Sequence, residues 1–373
     1  MTTGRARPLA GVTVIDLTSN VAAPFASAVL ADLGADVIHV EGPSGDACRR
    51  MAPTMDGSSA YFQVVNRNKQ GAVLDIRVEA DYQRLMEMIE GADVFVTNLR
   101  PGKLDRLHLD GASLRVRFPR LIHASLSAYG SVGAERDKPG YDAVLQARTG
   151  IASVTGTSDG PPVRAGVSIL DVGAGTWLAL GVITALYHRE RTGDGGEVAT
   201  SLFETGVSWV SYHLAAHQVT GRPSERHGSG HPAFSPYGIF RTGDGEICIG
   251  IGSNSLFEQL CSALGLPELL DEPRFATNEL RARYADALRS ELEAAMAGTS
   301  ADELAETLGR AGLPVDAVHR PEHLLADPQA HQTGILVEIP GTGLKVPGLP
   351  LTFDGSRPQI HRGAPLGPDR AAT

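Results

Sequence analysis

Cysteine is scarce in this chain of 373 residues: Cys48, Cys248 and Cys261 stand far apart, with no C-x-x-C pair. Neither a zinc ribbon nor a disulfide framework is supported by such spacing. Positive charge is also in deficit, since 33 Lys and Arg against 43 Asp and Glu give a net charge of −10. That argues against a general nucleic-acid surface, which needs a basic footprint, but leaves room for a local basic pocket around a phosphorylated ligand. No apolar run approaches the length of a membrane span, and residues 1–8 are polar where a signal peptide would be apolar. The expectation is a soluble cytoplasmic protein with no nucleic-acid or membrane partner.

What is present is apolar material, 42% of the residues against 20% charged. The chain is longer than one compact core usually holds, so two domains are expected. Short apolar runs at 12–15, 36–40, 73–76, 93–97 and 121–125 read as strands, with helical patterns over 24–33 and 80–90 between them. Strands separated by helices imply an α/β fold with a parallel sheet and crossover helices. Ligands on such sheets sit outside the carboxyl ends of the strands. Residues 173–188 and 201–219 read as long apolar helices, and 221–236 as a loop rich in Gly, Pro, Ser and His. A hairpin follows around Gly243 and Gly245, then helices over 256–264, 280–296 and 301–311, the last opened by a capping box, Ser300 to Glu303. The domain reading is a large α/β domain from 1–220, a smaller mixed domain over 225–325, and a C-terminal return over 326–373.

Two basic clusters fall beside strand ends. One is Asn98-Leu-Arg-Pro-Gly102 with Lys103 and Arg106; the other is Asn66-Arg-Asn-Lys69. Either would suit a ligand phosphate. The helically spaced pairs His213/His217 and His227/His231 have no Glu or Cys beside them to complete a metal site, so no metal is expected. Gly173-x-Gly175 lacks the third glycine of a dinucleotide fingerprint, and there is no Gly-x-Ser-x-Gly elbow.

In order along the chain, the stretches 9–18 (LAGVTVIDLT), 30–41 (LADLGADVIHVE), 66–69 (NRNK) with Leu74 and Asp75, 92–102 (ADVFVTNLRPG), 104–107 (LDRL), 119–122 (PRLI), 139–142 (PGYD) with Gln146 and Ala147, 171–175 (DVGAG) and 192–195 (TGDG) resemble the family III CoA-transferases. The resemblance implies a Rossmann-like large domain built from both chain ends, a small domain, and an interlocked homodimer. It implies an enzyme that moves CoA between an acyl-CoA, a succinyl or other short dicarboxylyl ester among the candidates, and a free acid. CoA is then a co-substrate and no cofactor is permanently bound.

The family's nucleophilic aspartate falls on Asp171, which would form aspartyl anhydride and aspartyl-CoA thioester intermediates. A place at a helix N-terminus would keep its carboxylate ionised, and Gly173 and Gly175 would let backbone N–H groups approach the intermediate. The CoA contacts carry over to Asn20, Val21 and Ala22, to Leu74, Asp75, Ile76 and Arg77, to Asn98, Leu99 and Arg100, and to Arg106 and Lys138. Gly42 stands where formyl-CoA transferase has an arginine, with Arg49 or Arg50 as candidate substitutes. The racemase branch of the family places a histidine where Tyr141 stands. A tyrosine with a pKa near 10 is a poor replacement for it, which favours transfer over 2-methylacyl-CoA racemisation. Asp142 matches an acidic residue beside the active site. The segment Gly228, Ser229, Gly230, His231 replaces the glycine run that closes over the aspartate, and His231 could meet a distal substrate carboxylate. A non-catalytic CoA-ester binding protein is the alternative of another class; the presence of Asp171 argues against it.

Overall fold

The computed structural model describes residues 7–55 and 58–364. Residues 1–6, read above as too polar for a signal peptide, and 365–373, the end of the expected return segment, lie outside the described residues. In chain order the first half runs β1 (Thr13–Leu17), α1 (Ala22–Asp32), β2 (Asp36–Glu41), α2 (Ala60–Asn66), β3 (Gln70–Val73), α3 (Glu79–Glu90) and β4 (Val94–Thr97). It continues with α4 (Pro101–Leu107), α5 (Gly111–Arg117), β5 (Ile122–Ser127), α6 (Asp142–Arg148), α7 (Ile169–Thr192) and β6 (Gly196–Ser201). The six strands form one sheet in the order β3-β2-β1-β4-β5-β6, and every pairing is parallel. This is the order of doubly wound dinucleotide folds, in which the crevice between the two halves opens at the carboxyl ends of β1 and β4.

Each face of the sheet carries its own core. Apolar residues of α1 and α7 cover one side, among them Ala23, Leu30, Ala174, Leu178 and Val182. Leu85, Met86 and Ile89 of α3, with Leu104 and Leu114 of α4 and α5, cover the other.

The differences from expectation have local causes. The third strand occupies Gln70–Val73 and shares only Val73 with the run read as a strand, because Asp75 starts a turn: its carboxylate accepts the Arg77 N–H, and its carbonyl accepts the Val78 N–H. The sixth strand, GEVATS, escaped because it is polar and follows Gly193-Asp-Gly195. The helix expected over 201–219 breaks at Val210 into Leu202–Trp209 (α8) and Ser211–Thr220 (α9). Contrary to the expectation that no segment reaches membrane-span length, α7 has 24 residues and is apolar enough to cross a bilayer. Its length serves the sheet: Leu170, Ala174, Leu178, Val182 and Leu186 are buried along one side.

The chain divides into two compact units, 1–151 with 165–215 and 325–373, and 152–164 with 216–324. The second unit thus takes residues 152–164 in addition to the later segment. It contains the hairpin β7 (Tyr237–Arg241) and β8 (Glu246–Gly250), with β9 (Val315–Ala317) against β8. Ile247, Ile249, Phe257, Leu288, Leu292 and Met296 form its core, and the Ser300 side chain accepts the Glu303 N–H as the capping box predicts.

The C-terminal segment returns to the first unit. Asn68, in the left-handed region at φ 64°, accepts the backbone N–H groups of His361 and Arg362 and donates to the Gln359 carbonyl. Gln63 accepts the Ala364 N–H.

Candidate active site

The crevice between β1 and β4 stands on a buried ionic centre. Asp16, wholly buried at the end of β1, accepts hydrogen bonds from Lys69 Nζ at 2.9 Å and Ser27 Oγ at 2.7 Å, with His39 Nδ1 at 3.1 Å. Burial opposes its charge, but Lys69 and His39 outweigh burial and hold the carboxyl well below the usual carboxylate range. Lys69 also donates to Asn66 Oδ1 and the Pro24 carbonyl, and Arg67 is buried against Asp32 at 2.6 Å. The cluster at 66–69, read above as suited to a phosphate, is therefore internal scaffold, because every cation in it is spent on a carboxylate of the core.

Above this centre lies the loop from β1 to α1. The Asn98 side chain, expected among the CoA contacts, pairs in both directions with the backbone of Ser19: its Oδ1 accepts the N–H at 3.1 Å and its Nδ2 donates to the carbonyl at 2.8 Å. Asn20 is left-handed at φ 66°. Val21 is the N-cap residue of α1, with no side-chain cap, and Pro24 removes one first-turn donor. The N–H groups of Val21, Ala22 and Ala23 stand at the positive end of the helix dipole.

Asp171 is the third residue of α7. One turn later on the same face, Gly175 lies so close to α1 that a Cβ there would stand 2.5 Å from the Ala22 carbonyl oxygen and 2.9 Å from Phe25. A Cβ on Gly173 would stand 2.3 Å from the Trp209 ring. Both glycines lie beyond the four uncommitted N–H groups of a helix start. Their role is close packing of α7 against α1 and α8, not N–H approach to an intermediate as expected above.

The start of α7 is capped from another helix. Asp142, buried at the head of α6, accepts the Leu170 N–H at 2.8 Å and the Asp171 N–H at 3.4 Å, while Gln146 donates to its other oxygen at 2.6 Å. The free N–H groups of the helix start are therefore spent on Asp142. Asp171 itself is pushed up to about 7, first by burial and then by the Asp142 carboxylate. This corrects the expectation that the helix terminus keeps Asp171 firmly ionised. Half-protonated near neutrality, it is a carboxylate whose charge is poorly stabilised, a condition that favours nucleophilic attack. Tyr61 of α2 shares a hydrogen bond with Ser168, the N-cap residue of α7; burial first, and then the charge of Asp171, push its phenol above the ordinary value. Tyr141 precedes Asp142 and is 71% exposed.

The remaining predicted CoA contacts spread along the carboxyl edge. Leu74 is buried, and Ile76 and Leu99 pack against the core beneath α3 and α4. Arg77 is exposed and closes on Asp75 at 2.7 Å. Lys138 is exposed, with Glu135 at 2.8 Å and the Tyr129 ring beneath it. Arg100, at the N-cap of α4, and Arg106, in its last turn, are exposed beside Lys103. Of the two substitutes named for the arginine missing at Gly42, Arg49 is bound to both oxygens of Glu41 and stacked on Phe62; Arg50 donates to the Ser44 carbonyl.

Gly228, Gly230 and His231 all fall in the second unit, on one cleft of about 650 Å³ shared with His227, Phe234 and Tyr237. His231 lies against the rings of Phe234 and Tyr237, and its Nδ1 accepts the Ala233 N–H.

Sequence reasoning found Asp171 and Asp142 but missed Tyr61, Ser168 and Gln146. Gln146 sat inside a family stretch with no role attached, and the others carried no local signal.

The family model for CoA-transferase family III matches residues 9–370. The acetyl-CoA:oxalate CoA-transferase of Acetobacter aceti is 37% identical over 361 residues, covering 96% of this chain and 92% of that protein. The human succinyl-CoA:glutarate CoA-transferase is 34% identical over 370 residues, covering 96% and 83%. Among solved structures, a CaiB/BaiF family protein from Brucella suis superposes with a TM-score of 0.88 at 31% identity, covering 97% of this chain and 96% of the other.

Proposed function

The chain belongs to the family III CoA-transferases, and from that premise we propose that it moves CoA from a short dicarboxylyl-CoA ester to a free carboxylic acid through covalent intermediates on Asp171. The observation that carries this reading is Asp171 itself: a carboxyl pushed up to about 7, one turn before the Gly175–Ala22 contact with the uncapped start of α1.

Asp171 Oδ attacks the thioester carbonyl, and the N–H groups at the start of α1 stabilise the oxyanion. Collapse releases CoA thiolate and leaves a mixed anhydride. The thiolate attacks the Asp171 side-chain carbonyl, expelling the donor acid and leaving an aspartyl-CoA thioester. The acceptor carboxylate attacks that thioester, releasing CoA thiolate and forming a second anhydride. The thiolate then takes the acceptor acyl group, and the Asp171 carboxylate is restored. No step consumes water, so the enzyme's task is positioning and charge stabilisation.

Arg100, Lys103 and Arg106 are proposed to meet the CoA phosphates, being exposed at the carboxyl edge. A homodimer is proposed because α7 carries Trp177, Leu180 and Tyr187 exposed along one side, and α9 buries none of its residues. Three unpaired cysteines fit a cytoplasmic location.

Intact-protein mass spectrometry after incubation with acetyl-, oxalyl-, succinyl- and glutaryl-CoA, quenched with hydroxylamine, tests the reading. A hydroxamate mapped to Asp171 with one donor preferred is the expected result. CoA binding with no adduct from any donor, together with deuterium uptake at C2 of a 2-methylacyl-CoA from heavy water, would overturn it.

A further inference from the structure

The loop that delivers α1 to the nucleophile holds an unfavourable conformation. A left-handed φ on a residue other than glycine is uncommon, and it is held in place where surrounding contacts enforce it. At Asn20 the enforcing group is a carboxylate from the loop after β2. Asp46 Oδ1 and Oδ2 accept the Asn20 N–H at 3.1 and 3.2 Å.

Asp46 is 4% exposed and is itself held on every side. Its Oδ1 accepts the Cys48 N–H at 2.8 Å, and its own N–H donates to Glu41 Oε2 at 2.7 Å. Glu41 is gripped by the Arg49 guanidinium, which lies 4.0 Å over the Phe62 ring. On the inner side His39 Nε2 is 3.8 Å from Asp46 Oδ2, while His39 Nδ1 rests on Asp16. The acceptor facing Asn20 therefore has little freedom to follow the loop if the loop relaxes.

Asn20 lies two residues before Ala22, whose carbonyl lies against Gly175 of the nucleophile helix. Relaxing Asn20 to an ordinary φ turns the chain at Val21 and moves the first-turn N–H groups of α1 relative to Asp171. We infer that Asp46 is a positioning residue for acyl transfer: it locks the Asn20 turn and so aims the start of α1 at the oxyanion formed over Asp171. This rests on the reading of Asp171 as the covalent nucleophile.

The test is a double-mutant cycle between Asp46→Ala and Asn20→Gly, read as the single-turnover rate of Asp171 adduct formation and as CoA affinity by calorimetry. A displacement near 1 Å in a catalytic array costs up to about 100-fold. Asp46→Ala is therefore expected to slow adduct formation by roughly that factor in the Asn20 background, with CoA affinity changed less than about 3-fold. Glycine adopts the left-handed region without penalty, so in the Asn20→Gly background the same substitution is expected to cost less than about 5-fold. Asp46→Asn, which keeps one acceptor oxygen, is expected to fall between and serves alone if the alanine variant does not fold. An equal loss in both backgrounds, or a loss confined to CoA affinity, overturns the inference and leaves the nucleophile reading standing. Absence of any Asp171 adduct in the unsubstituted enzyme overturns both.

Discussion

Replacing Asp171 by Asn should make the protein inactive and, at alkaline pH, more stable. The Asp171 carboxyl rises from 3.8 to about 7 on folding. The folded chain therefore keeps a proton that the unfolded chain releases, so this group lowers stability progressively between about pH 4 and pH 7, and the full cost stands above that range. At 1.36 kcal/mol per pH unit the rise corresponds to roughly 4 kcal/mol. Asp171 is only partly buried, and solvent screening brings the expectation to about 2 kcal/mol. Asparagine keeps the shape and removes the ionisation. Asp171→Asn should thus match the wild type near pH 4 and exceed it by about 2 kcal/mol near pH 8.5. The only two tryptophans, Trp177 and Trp209, both lie in the first unit. Urea unfolding followed by their fluorescence, at fixed protein concentration, reports on that unit. A stability difference that is the same at both pH values, or a wild type more stable near pH 8.5, refutes the reasoning.

Asp142→Asn removes the second cause of the Asp171 shift, so the acidic limb of kcat/KM should move to lower pH while the maximal rate falls with the loss of the cap; a limb that stays or moves upward contradicts the coupling. Gly175→Ala places a methyl 2.5 Å from the Ala22 carbonyl oxygen and should cost about 1–3 kcal/mol by overpacking, measured by the same fluorescence transition; unchanged stability would show that α1 and α7 are less closely packed than described.

Much of the sheet could be read from the sequence because β1, β2, β4 and β5 lie on apolar runs flanked by helical patterns, a signal that depends only on local order; β3, Gln70–Val73, lies beside its run and not on it. Gly196–Ser201 carried no such signal, since its partner β5 and not its own composition makes it a strand. The same distinction holds at the site. Asp171 and Asp142 were found through motif resemblance, but the consequence of their proximity was not. A helix start suggested an ionised Asp171, whereas the structure spends the N–H groups on Asp142 and buries its neighbour. Lys69 and Arg67 looked like ligand cations because their carboxylate partners, Asp16 and Asp32, lie 53 and 35 residues away. Asn98, matched to the CoA contacts by resemblance, likewise spends its side chain on a backbone 79 residues distant.

The clasp formed by Asn68 also has a consequence for synthesis. Its partners His361 and Arg362 lie 293 and 294 residues downstream. At roughly 5–20 residues per second, translation separates the two sides of this clasp by about 15–60 s. The last strand of the parallel sheet ends at Ser201 and the second unit ends at 324, so both are made before either partner of Asn68. The first unit therefore waits on a segment made well after its sheet, and a ribosome that stalls between residues 201 and 361 holds a chain with every strand of the sheet present and nothing for Asn68 Oδ1 to hold.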